Sequence, residues 1–265
     1  MHCVLGAIGM LLACIAFVLP CRAEPPPKPS VYNAEKDPLA WFLTSAELQK
    51  LSETLAHAQQ AVYFIGSPER GIIGTAFCIS KEHRLLVTCA TIIDDVFDRH
   101  KLTLVDAVGQ QAPMRRFWFH PDFLRMDANG KPVHPDKAPK GEIAPASPDV
   151  AIIQLRENAP APRGELTLLP PDHGGKLLGH AVGVLHFSTF VQPRWPTETD
   201  LECAPFRSFG YVTGIEKLQT ADAKTPTRPW HLRVTAATWE AMGGAPVLLQ
   251  DGTVIGMVNS SGVLT

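Results

Sequence analysis

The sequence predicts a mainly β protein. Short apolar runs recur between clusters of Gly, Pro, Asn and Asp, the pattern of strands joined by turns. Twenty-four prolines stand against three tyrosines, which suits many loops between short elements better than a helical bundle. No repeat of solenoid or propeller length is present. At 265 residues and 45% hydrophobic composition, one large or two small domains can bury an adequate core. The pattern alone leaves a barrel and a sandwich both open.

Residues 4–19 form an apolar run ending at Pro20, and Cys21-Arg22-Ala23 then offers small residues at the −3 and −1 positions before Glu24. This reads as a secretory signal peptide cut after Ala23, with an uncleaved anchor as the alternative. Residues 24–43 are a proline-rich linker. Thr44-Ser45-Ala46-Glu47 has capping-box spacing, and Leu48, Leu51 and Leu55 follow at helical intervals, so 44–60 is a helix packed on the body of the domain. Strands are expected at Val62–Ile65, Gly71–Ser80, Arg84–Cys89 and Lys101–Val108, then at Val150–Leu155 after a long loop over 121–148. Inside that loop, Asp127 to Lys131 is an Asn-Gly turn, since later calcium ligands are missing. A second strand-rich half runs from about 165 to 265, interrupted by a loop over 188–208.

A formal charge of −2 gives no reason to expect a nucleic-acid partner. Cys3, Cys14 and Cys21 precede the expected cleavage point, leaving Cys78, Cys89 and Cys203. Pairing Ser80 with Leu85 in a hairpin puts Cys78 opposite Val87 and Cys89 opposite Ala76. The two thiols are then diagonal neighbours roughly 7–8 Å apart, beyond disulfide reach. Free buried thiols are expected. The histidines show no metal-ligand pair spacing, so neither metal nor cofactor is expected.

Three segments, in fixed order, carry chemistry. Gly74-Thr75-Ala76-Phe77 leads into Thr88-Cys89-Ala90-Thr91; Ser147-Pro148-Asp149-Val150-Ala151 opens an apolar strand; and Ala241-Met242-Gly243-Gly244-Ala245-Pro246 lies between two more. Together they resemble the chymotrypsin-fold serine proteases, especially the HtrA-type branch, over about residues 60–262. Leu178–Val184 and Gly210–Gly214 match the strand spacing of that family's second barrel.

The resemblance implies two antiparallel β-barrels of the six-stranded type with an N-terminal helix. Barrel one spans about 61–160 and barrel two about 161–265 of a protease domain over 44–265. It also implies a second barrel short of its closing strand, leaving an edge for a partner chain or segment 25–60 to cover. The chemistry needs a hydroxyl nucleophile, an imidazole base and an orienting carboxylate. The matching positions hold Gly243, Thr91 and Asp149, so only the carboxylate is retained. Backbone N–H groups of Ala241 and Gly243 correspond to the oxyanion hole, and Asn259, Ser260, Ser261 and Gly262 to the strand that receives an extended peptide.

The expectation is therefore a secreted or envelope-located, inactive homologue that binds an extended peptide or a protein partner. The alternative is an active endopeptidase using a non-standard Ser–His pair. Membrane association is expected only if the N-terminal signal stays uncleaved.

Overall fold

The computed structural model describes residues 43–67, 71–94, 102–135, 144, 147–170, 176–187, 205–217, 230–236 and 242–259. The expected signal peptide, the linker up to residue 42, Cys203, Ala241, Ser260, Ser261 and Gly262 lie outside them. No helix among the described residues is long and apolar enough to cross a membrane.

Helix α1 covers Ser45–Ala58 because both halves of its capping box form. The Thr44 side chain accepts from the Glu47 N–H, and the Glu47 carboxylate accepts from the Thr44 N–H at 2.8 Å. A single 3₁₀ turn, Gln59–Ala61, then leads into the first strand. Leu51 and Leu55 are fully buried, while Leu48 is 41% exposed, so the apolar stripe is narrower than the sequence suggested. The helix docks on the second sheet. A Cβ added to Gly183 would lie 3.0 Å from Leu55 Cδ2, so glycine there lets the helix approach. Tyr211 donates its hydroxyl to Glu47 at 2.9 Å, and Thr54 donates to the Gln250 carbonyl at 2.8 Å.

The first sheet holds β1 (Val62–Ser67), β2 (Gly71–Ser80), β3 (Leu85–Thr88), β4 (Thr103–Asp106), β5 (Met114–Phe119) and β8 (Ala151–Leu155). All its pairings are antiparallel, in the order β4-β1-β2-β3-β8-β5. The sheet curls back on itself: the Ala112 N–H, just before β5, donates to the Leu104 carbonyl of β4 at 2.8 Å. A five-residue helix, α2 (Ala90–Asp94), follows β3 directly.

Three expectations for this half need correction. Met114–Phe119 is a full strand that the sequence reading passed over. The loop 121–148 contains a small hairpin, β6 (Arg125–Met126) with β7 (Pro132–Val133), around the expected turn at Asp127 to Lys131. A buried ion pair between Arg125 and Asp94 ties that hairpin to α2. In the hairpin β2–β3, Ser80 does pair with Leu85, but a bulge between Cys78 and Ser80 puts Cys78 opposite Leu86 rather than Val87. Cys89 lies past the end of β3, so it has no partner across the ladder at Ala76. Both thiols are buried and free.

The second sheet is β9 (Ala181–His186), β10 (Phe206–Lys217), β11 (Trp230–Val234), β12 (Pro246–Leu249) and β13 (Val254–Met257), in the order β11-β10-β9-β12-β13. Residues 206–208, expected in a loop, start β10. Strand β13 is the last in this order, yet its start is covered. The connector between the sheets bridges in parallel, with Leu168 beside Val254, and the Leu169 N–H donates to the Val254 carbonyl at 2.8 Å. Helix α1 lies on β9 and β10 instead.

Strand β9 is buried on both faces and so serves two cores. Val182 and Val184 point into a cluster with Val212, Met242 and Val247, whereas Leu185 joins the larger cluster of the first sheet. Phe187 meets Phe64 edge to face at 5.3 Å, joining the two halves. Two curled antiparallel sheets sharing a seam form the double-barrel architecture that the motif order implied.

Candidate functional site: where the three motif segments meet

The three motif segments meet where β2, the end of β3, the start of β8 and the turn before β12 come together. Thr75 of β2 is the hub. Its N–H donates to the Gly243 carbonyl at 2.8 Å, and its carbonyl accepts the Thr88 hydroxyl at 2.7 Å. Its own hydroxyl accepts the Phe187 N–H at 3.2 Å. One fully buried threonine thus links both sheets and the turn carrying Gly243.

That turn is tight. The Ala245 N–H donates to the Met242 carbonyl at 2.9 Å, and the Gly244 N–H to the Val258 carbonyl at 2.7 Å. Gly244 has φ +81°, and a Cβ there would lie 2.5 Å from Thr88 Oγ1 and closer still to the Thr75 carbonyl. Only glycine fits both the backbone angle and the space. Met242 is fully buried in the second sheet's core, a packing residue.

Asp149, just before β8, and Thr91, at the start of α2, face each other at one end of the first sheet. The Asp149 carboxylate, only 5% exposed, accepts the Thr91 N–H at 2.8 Å on one oxygen and the Thr91 hydroxyl at 2.9 Å on the other. The backbone bond satisfies one of the orphan donors at the start of α2, as an N-cap would. The hydroxyl bond occupies the oxygen that an imidazole would otherwise need for orientation.

Gly243 presents no side chain, and the space above it is taken. A Cβ added there would sit 3.1 Å from Ile92 Cδ1, 3.6 Å from Ile92 Cγ1 and 3.8 Å from Cys89 Sγ. Ile92 also presses on Gly74, where an added Cβ would be 3.1 Å from Ile92 Cγ1 and 3.1 Å from the Gly243 carbonyl oxygen. The isoleucine is therefore wedged between two glycines, one from each sheet, and is 9% exposed. Below it, the Cys89 thiol donates to the Val258 carbonyl at 3.2 Å. Burial pushes the Cys89 pKa well above its usual value, and the neighbouring Asp149 charge raises it further. A thiol held protonated in this way is a poor nucleophile.

Sequence reasoning found Thr91, Asp149 and Gly243, and the structure brings their segments together. It did not find Ile92 or the close approach of Cys89, because neither residue type signals chemistry by itself. Asn259, the first residue of the expected peptide-binding strand, is buried at 9% exposure. Ala241, Ser260, Ser261 and Gly262 lie outside the described residues. Among the described residues no group of three or more His, Cys, Asp or Glu could hold a metal ion.

A Ser–His pair does exist elsewhere. His186 Nε2 lies 3.2 Å from Ser208 Oγ, and the two residues are 0% and 6% exposed. Register places His186 beside Phe206, so the pair sits between β9 and β10. Burial lowers the His186 pKa from 6.5 to about 4.

Known proteins agree with this geometry. The family model for the trypsin-like peptidase domain matches residues 74–257. Among solved structures, Deg5 superposes with a TM-score of 0.53 at 15% identity, covering 84% of this chain and 90% of its own. The inactive form of Rv3671c from M. tuberculosis gives 0.51 at 16% identity, covering 83% and 88%. The HtrA-type protease AlgW with a decapeptide gives 0.51 at 13% identity, covering 81% of this chain and 61% of that one. No curated protein matches the chain. The matched span includes all three motif segments, and the chain belongs to the trypsin-like peptidase domain family, with the HtrA-type double-barrel fold.

Proposed function

We propose that this chain is a catalytically inactive member of the family that works by binding, taking an extended peptide or a segment of a partner protein along the former substrate cleft. The observation that carries the reading is the occupied centre: Thr91 satisfies both oxygens of Asp149, and Ile92 fills the space over Gly243. Acyl transfer needs a nucleophile beside a base, and these positions supply neither. In a protease of comparable mechanism, loss of the serine or the histidine costs about a millionfold in turnover. A backbone cleft needs no such groups, since main-chain pairing alone can hold an extended strand. AlgW, solved with a decapeptide on a fold of this kind, supports the same mode. With the apolar N-terminal run read as a signal, the site of action is outside the cytoplasm, in the secreted or envelope space.

The His186–Ser208 contact favours a second reading, an active endopeptidase with a relocated pair. Two features weigh against it. Both residues are closed to substrate, and burial weakens the imidazole as a base. A fluorophosphonate probe decides between the readings. The wild-type protein is expected to remain unlabelled, whereas labelling that disappears in Ser208→Ala would establish the relocated pair.

A further inference from the structure

A bulge between Met114 and Arg116 breaks the alternation of β5, so that Arg115 and Arg116 are both exposed. Bulges of this kind commonly re-aim side chains at functional surfaces. Arg116 sits over Trp118, its guanidinium carbon 4.4 Å from the ring centroid, and its Nε donates to Gln154 at 2.9 Å. The ring contact and the Gln154 bond hold the guanidinium in place on a side chain that is itself exposed. Arg156, also exposed, donates from Nε to the Met114 carbonyl at 3.2 Å and so stands at the same end of the strand. Register puts Trp118 opposite Ile152 and Ile152 opposite Val87, and these half-buried side chains form an apolar strip beside the arginines. Trp118 itself is 40% exposed. Among the described residues, the one carboxylate bonded to these three arginines is Glu157, 3.3 Å from Arg115 and itself 88% exposed.

We propose that this outer face of β3, β8 and β5 is a docking surface for an acidic, aliphatic polypeptide segment of a partner protein. The carboxylates of that segment pair with Arg115, Arg116 and Arg156, and an aliphatic side chain covers Trp118 and Ile152. Arginine beside tryptophan is the composition of binding hot spots, and a guanidinium with a fixed plane favours the paired oxygens of a carboxylate. A local excess of two positive charges is too small for other anionic partners. Nucleic-acid interfaces typically neutralise about 6–10 phosphates, and basic membrane patches gather about 4–8 cationic side chains. The apolar strip is also of no use to a phosphate backbone. The chain's overall charge of −2 makes the patch a local exception on an acidic molecule. None of Thr91, Asp149 or Gly243 takes part, so this surface stands whether or not the former cleft binds anything.

The test is fluorescence polarisation on the full chain. The probe is a short labelled peptide alternating Glu with Val, run beside its Lys-for-Glu counterpart, a labelled oligothymidylate and vesicles of phosphatidylglycerol with phosphatidylcholine. Saturable binding of the Glu peptide alone is expected, weakening with salt and falling about tenfold or more in Arg115→Glu/Arg116→Glu and in Trp118→Ala. Arg115 and Arg116 are exposed, so the double variant should stay folded, whereas Trp118→Ala loses packing and its binding is compared well below its own melting temperature. Absence of Glu-peptide binding, binding that survives both variants, or preference for the oligonucleotide or the vesicles overturns the proposal.

Discussion

The Thr91 hydroxyl donates to the Asp149 carboxylate at 2.9 Å, so the two side chains that the sequence matched to the acid and base positions are bonded to each other. The carboxylate is buried, and its second oxygen takes the backbone N–H of the same threonine. Asp149 is therefore held by Thr91 through two bonds at the start of α2, with the Cys89 thiol beside it.

Replacing Thr91 with Ala removes the hydroxyl bond and keeps the backbone one. Hydrogen bonds to charged groups contribute about 1.5–3 kcal/mol. Urea unfolding of Thr91→Ala is expected to show a loss of that size, with Thr91→Ser close to wild type. Equal losses in the two variants would mean that the methyl group, not the hydroxyl, matters.

Restoring the serine alone should restore nothing. Gly243→Ser places a Cβ 3.1 Å from Ile92 Cδ1, and Thr91 remains unable to accept a proton. Peptidase assays and fluorophosphonate labelling of this variant are expected to be negative. Its stability should couple to position 92, with Ile92→Ala and Gly243→Ser interacting by about 0.5–3 kcal/mol in a double-mutant cycle. Strict additivity would show that Ile92 does not occupy the space as described.

Two left-handed glycines should respond differently to alanine. Gly244→Ala meets Thr88 Oγ1 at 2.5 Å and the Thr75 backbone, so a loss above about 3 kcal/mol is expected. Gly252 has φ +88° but its nearest neighbour would be Thr54 Cγ2 at 3.7 Å. Gly252→Ala should cost only the backbone strain, about 1–2 kcal/mol. Denaturation midpoints compare the two directly.

His186 makes stability fall with acid. Its native pKa is about 4 against 6.5 for the free side chain, so between these values the unfolded chain binds a proton that the native one refuses. The contribution is complete above pH 6.5 and is lost as the pH falls toward 4, about 3 kcal/mol in all at about 1.4 kcal/mol per unit. Unfolding at pH 7 and pH 4.5 should therefore differ more in wild type than in His186→Gln. An identical pH slope in both would exclude His186 as the titrating group.

Local rules made parts of the fold legible. The capping box set the start of α1, and turn residues set the hairpin β2–β3 and its Ser80–Leu85 pair. Strand β5 escaped notice because its bulge and two adjacent arginines erase the alternation on which strand reading depends. The same kind of irregularity at Cys78 shifted the register by one residue. Cover for the second barrel's open edge was expected from segment 25–60 or a partner chain, whereas the start of β13 has the connector at 167–169 beside it. A parallel bridge of that kind leaves no periodic trace in sequence.

By itself, the sequence determined the family and the order of the motifs, because side-chain identity is a local property and motif spacing survives without coordinates. Only the tertiary structure decided what fills the gap. Ile92 over Gly243, Thr91 on Asp149 and Cys89 beneath both are contacts between segments far apart in the chain. Such contacts depend on how closely two sheets approach, and at this seam that distance is set by glycines at 74, 243 and 244.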